Sequence, residues 1–139
     1  MTPLLFLYSN DSPAPPAAQG SDFDAQPFDA AQLVQRLESG APSQAVVAMP
    51  AAQLIAALAA WPDGTPCAVS LISAAPQPAL LQRLQAQGLA GWWPQTCTAQ
   101  DLAAGLALDR WRWEERKTLR SALAGAQGQL ADRKWLERA

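Results

Sequence analysis

Four short apolar runs separated by helical patterns constrain this chain more than any other feature. Residues 3–10 (PLLFLYSN), 45–49 (AVVAM), 67–72 (CAVSLI) and 89–93 (LAGWW) are short and largely apolar, as strands buried on both faces are. Between them lie segments with helical spacing. Residues 29–39 group Leu33, Val34 and Leu37 and end at Gly40. Residues 51–61 carry Leu54, Ile55 and Leu58 and stop at Pro62; residues 78–87 carry Leu80, Leu81 and Leu84 and close at Gly88. Strands alternating with helices of about ten residues imply βα units around a parallel sheet covered on both faces. Residues 10–27 break the rhythm: Pro13, Pro15, Pro16 and Gly20 predict a loop where another helix and strand would otherwise stand.

From about Thr98 helix formers run almost unbroken to Ala139. That is ~60 Å if straight, at ~1.5 Å per residue. Leu102 and Leu106 can pack on a sheet, but beyond Trp113 there are too many charges for a domain surface to cover. Leu119, Leu123, Ala126 and Leu130 follow the 4-3-4 spacing of a coiled-coil seam. Gly125 and Gly128 each weaken it by about 1 kcal/mol relative to alanine. The charge distribution agrees. Residues 1–100 hold two basic and six acidic side chains, residues 101–139 eight and six. Two parts are therefore expected: a domain over residues 1–108, and a coiled-coil linker over 109–139 through which the chain forms a homodimer.

Composition excludes several chemistries. With no histidine, His-dependent triads, His general bases and His-containing metal sites cannot exist. Cys67 and Cys97 form no metal spacing and predict buried thiols of a reduced, cytoplasmic protein. No apolar run reaches the ~18–20 residues of a membrane span, and the first ten residues lack the basic region of a signal peptide. GxGxxG, P-loop and GxSxG motifs are all missing. Neither an enzyme, a bound cofactor nor a metal site is expected.

The β/α domain feeding a long charged helix resembles the receiver domain of bacterial response regulators. Its end, LRSALAGAQGQLADRKWLERA, looks like the coiled-coil linker and opening residues of ANTAR-type transcription antiterminators. In that family an "ERA" stretch, here Glu137-Arg138-Ala139, leads into an RNA-binding three-helix domain. The resemblance implies a receiver-like (flavodoxin-type) parallel sheet of four to five strands with a long projecting C-terminal helix. It also implies RNA contact only through a domain beyond residue 139.

Receiver chemistry needs an acidic pair after the first strand for Mg²⁺, a carboxylate nucleophile ending the central strand, and a lysine after the last strand. Asn10-Asp11 follows the first run, leaving at best one carboxylate of the pair. Met49 ends the central strand, and no carboxylate lies from Ser39 to Pro62. Ser70 or Ser73 takes the usual hydroxyl position, and Trp93-Pro94 stands where the family has Lys-Pro. The resemblance thus implies a pseudo-receiver that is not phosphorylated, controlled instead by protein contact, for example sequestration by a ligand-sensing regulatory protein.

The six tryptophans are ambiguous from sequence. Trp92 and Trp93 form either a docking surface at the sheet edge or a pair with one ring inward and one over the last helix. Trp111 and Trp113 either meet a partner or staple the helix to the body. Two further functional classes stay open: a stand-alone interaction adaptor with no nucleic-acid role, and a flavodoxin-like cofactor binder.

Overall fold

The computed structural model describes residues 4–9, 15–18, 25–40, 42–62 and 64–138, without the side chains of residues 18, 30, 40 and 127–138. Five parallel strands form one sheet: β1 (Leu4–Ser9), β2 (Ala25–Phe28), β3 (Gln44–Ala48), β4 (Ala68–Ser73) and β5 (Gly91–Pro94), in the order β2-β1-β3-β4-β5. Four helices accompany them: α1 (Leu33–Gly40), α2 (Ala51–Leu58), α3 (Pro78–Ala86) and α4 (Ala99–Arg138). This is the receiver-like α/β architecture, with the long C-terminal helix.

Residues 10–27 are not all loop. Ala25–Phe28 pairs in parallel with β1, Phe28 opposite Ser9, and Pro16–Ala18 forms a 3-10 turn. Ala17 of that turn is fully buried beside Phe6, Leu102 and Leu106. The turn therefore packs on the face of the sheet that α4 covers. Pro27 is tolerated because an edge strand has one side with no ladder to satisfy.

Period-two alternation sends each strand's side chains to two cores. Leu7, Val47, Met49, Val69 and Leu71 meet Leu33, Leu37, Leu54, Leu58 and Leu84 of α1–α3. Phe6, Val46 and Ile72 meet Leu102 and Leu106 of α4. Helix ends follow local chemistry. Thr98 Oγ1 accepts from the Asp101 amide at the start of α4. Gly88, at φ +104°, ends α3 with the Leu89 amide donating back to the Leu84 carbonyl.

α4 is one continuous helix across the expected 108/109 division, and it goes on touching the sheet domain beyond it. Before the division Gln44 Nε2 donates to the Leu106 carbonyl at 2.6 Å, and beyond it Trp113 Nε1 donates to Thr65 Oγ1 at 3.1 Å. Arg116 reaches the Leu89 carbonyl at 3.1 Å, and Arg120 reaches the Ala86 carbonyl at 3.3 Å. Ala86 is the last residue of α3, where the helix dipole favours a cation. Among the described residues, Arg120 makes the last of these bonds to the body.

The two thiols are buried and unpaired. Burial pushes Cys67 up to about 11; Cys97 is also raised, chiefly by burial and then by the negative charge of Asp101. Folded Cys67 therefore keeps its proton where the unfolded thiol, near 9.0, has lost it. Its contribution to stability is constant below pH 9 and falls as pH rises from about 9 to about 11. Urea unfolding across that range should show a smaller decline for Cys67→Ala than for the parent. Equal slopes would refute the assignment. Thiol reagents at pH 8 should modify Cys67 only at the rate of unfolding.

Candidate functional site at the carboxyl edge of the sheet

The chain leaves β1 for β2 on one side of the sheet and returns through β3 on the other. Open α/β sheets place ligands at such a switch point, outside the carboxyl ends of the strands. Here a cleft of about 630 Å³ lies at that edge. Ser9 ends β1 on its wall, Met49 follows β3, Ser73 ends β4, and Gln95 and Thr96 follow β5. Pro15 and Pro16 of the crossover, the start of α2 and Leu80 of α3 complete it.

Met49 is buried, held by its amide's 3.3 Å bond to the Ile72 carbonyl. Ser73 Oγ donates to the Ala74 carbonyl at 2.8 Å and accepts from Trp92 Nε1 at 3.0 Å. No described lining residue is charged, and no cluster of metal-ligating side chains occurs among the described residues. Asn10 and Asp11 lie outside the described residues. The described wall can bind apolar surface and make a few neutral hydrogen bonds. It offers neither a nucleophilic carboxylate nor a cation for a phosphoryl group.

The other sequence-derived positions separate. Ser70 does not line the cleft; it faces α4, where its hydroxyl donates to Asp109 Oδ2 at 2.8 Å. Trp93 also faces α4. The reading that set it in the lysine's place rested on the proline that follows. In the fold Pro94 is the last residue of β5, and Gln95 and Thr96 of the loop after it line the cleft. Trp92 points to the opposite face and packs on the α1–α3 core. The adjacent indoles thus go to opposite faces, as strand alternation requires.

Trp93, Ser70 and Asp109 form a buried junction that sequence reading missed. Trp93 Nε1 donates to Asp109 Oδ2 at 2.8 Å, and Asp109 is only 4% exposed. Two glycines make room for it. A Cβ at Gly105 would lie 2.0 Å from the Trp93 ring, and one at Gly91 would lie 2.3 Å from the Asp109 carboxylate. The spacing of Leu102, Leu106, Asp109 and Trp113 was the available signal: it puts Asp109 on the buried face of α4.

Along the remainder of α4, Trp113 is half-buried, with Lys117 Nζ 5.2 Å from its ring centroid. Leu108 (46%), Trp111 (59%), Leu119 (62%) and Leu123 (60%) are exposed along the helix. Ala126 is exposed as well; the side chain of Leu130 lies outside the described residues, as does that of Trp135.

No family model matches the chain, and no curated protein matches it. Solved structures do. The signal receiver domain assigned to the response regulator NarL of Mycobacterium tuberculosis is 23% identical, with 78% of this chain and 98% of that one covered at a TM-score of 0.54. The signal receiver domain of a Luxo repressor protein from Vibrio parahaemolyticus is 15% identical, with 86% and 98% covered at 0.58. The RcsB response regulator of Salmonella typhimurium is 14% identical, with 77% and 59% covered at 0.53. At these identities the likeness is one of fold, and the fold is that of a receiver domain. No helix among the described residues is long and apolar enough to cross a membrane.

Proposed function

We propose that this chain is a signal-input and dimerisation module that works without phosphoryl transfer and is not an enzyme. The carrying observation is the chemistry of the carboxyl-edge cleft. Where a phosphorylated receiver needs a carboxylate, the end of β3 presents Met49, and the loop after β5 presents the neutral Gln95. A signal must then arrive by another contact.

The helix suits such a role. Its first part is held to the sheet by the Asp109 junction, and on either side of Arg120 it exposes Leu119 and Leu123. Their spacing with Ala126 and Leu130 supports pairing with a second copy. The resemblance of the C-terminal sequence to ANTAR antiterminators extends the reading: a cytoplasmic regulator of transcription antitermination, reaching RNA through a further domain and controlled by a protein partner.

Mg²⁺ with beryllium fluoride mimics the phosphorylated aspartate of receivers and tests this reading. The amide spectrum should stay unchanged on its addition. Saturable shifts around Met49 and Ser73 would overturn the reading, because they would require a competent acidic site at the cleft.

A further inference from the structure

We infer that the carboxyl-edge cleft is a binding site for an uncharged, largely apolar small molecule. Three observations converge. The cleft's volume, about 630 Å³, lies within the ~300–1,000 Å³ range of small-ligand sites. It also lies where this topology places ligands, at the carboxyl ends of the adjacent β1 and β3, whose connections leave in opposite directions. Its described lining is dominated by Met49, Ile72, Leu80, Pro16 and alanines, with the buried Ser9 and Ser73 and the exposed Gln95 and Thr96 as neutral polar groups.

Every described lining residue is neutral, so none of them can pair with a charged ligand. A carboxylate or ammonium entering an apolar site without a partner forfeits its hydration, which costs several kcal/mol. A neutral molecule gains by burying its apolar surface against the same wall. Two other surface hollows differ in kind. They are smaller, about 390 and 320 Å³, and one is lined by Arg83 while the other is lined by Asp109, Arg112 and Arg116.

The occupant would touch a sensitive part of the fold. Gln95 and Thr96 belong to the short loop that runs into α4, and Ser73 is bonded to Trp92. A ligand seated here contacts the ends of β3 and β4 and the loop that leads into the long helix at once.

Met49 supplies a clean reporter, because the chain's only other methionine is Met1. The full chain, labelled with ¹³C at the methionine methyls, is titrated with indole as a neutral probe, and with indole-3-acetate and tryptamine as charged analogues. Indole should shift the Met49 methyl saturably, with a dissociation constant of about 1 mM or tighter, as ligand efficiency allows a fragment of that size. Both charged analogues should bind at least about tenfold more weakly, a difference of ~1.4 kcal/mol. Ala52→Trp and Ala74→Trp each introduce a ring from an exposed lining position, and each should abolish the indole response while the protein stays folded.

An unshifted Met49 methyl overturns the proposal. Equal or tighter binding of a charged analogue overturns the ligand class, and a response surviving in both folded variants overturns the location. Failure of the indole titration leaves the phosphoryl-free reading intact, since that reading needs only the absence of a competent acidic site. Beryllium fluoride binding would overturn that reading whatever indole does.

Discussion

Replacing Trp93 with alanine is expected to cost about 3–5 kcal/mol of folding stability, the range for deleting a large packed aromatic. The indole does two things at once. Its ring lies against Gly105 of α4, too close to admit even a Cβ there. Its Nε1 donates to the buried Asp109, which Ser70 holds from β4. Alanine opens a void at the sheet–helix contact and leaves the carboxylate with one fewer donor. For a domain stable by about 5–15 kcal/mol, that is a large fraction of the total. Urea unfolding followed by circular dichroism measures it. Trp93→Phe, which keeps most of the ring and removes the N–H, should lose only about 1–3 kcal/mol. A loss below 1 kcal/mol for Trp93→Ala would contradict the junction's role in seating α4.

The double change Leu119→Glu and Leu123→Glu is expected to weaken self-association about a thousandfold, or ~4 kcal/mol. Each leucine is about three-fifths exposed in the single chain, so neither contributes much to its fold. In a paired helix they would supply the main apolar burial, at about 25 cal/mol per Å². Two carboxylates per helix replace that burial with like-charge repulsion. Sedimentation equilibrium should therefore show a dimer for the parent and a monomer for the variant, with unfolding transitions that differ little. A variant that remains dimeric would move the interface off this seam.

These two residue sets differ in how legible they were. Leu119 and Leu123 stand out because leucines at coiled-coil spacing among charges have few other uses. Asp109 was hidden because it sits in a run of charges, Asp109-Arg110-Trp111-Arg112, which reads as a solvated surface. Only its spacing from Leu102 and Leu106 marks it as inward. Its purpose depends on Ser70 and Trp93, far away in sequence.

The same distinction applies to the fold. The strands ending at Ser9, Ala48 and Ser73 are dense in apolar residues because both of their faces are covered, and their positions follow from pattern alone. β2 is an edge strand of four residues, two of them Gln26 and Pro27, and of these four only Phe28 is buried. Its strand conformation comes from pairing with β1, which no local pattern encodes. The cleft was legible in part. Met49 and Ser73 follow from strand ends, whereas Gln95 and Thr96 lie in the loop after β5, where no local pattern marks them as lining residues.

The central claim is that a receiver fold here carries input without a phosphorylated aspartate. Intact mass spectrometry of the full chain after incubation with acetyl phosphate and Mg²⁺ tests it most directly. The account predicts an unchanged mass. A gain of one phosphoryl group, removed by hydroxylamine as an acyl phosphate would be, would contradict it.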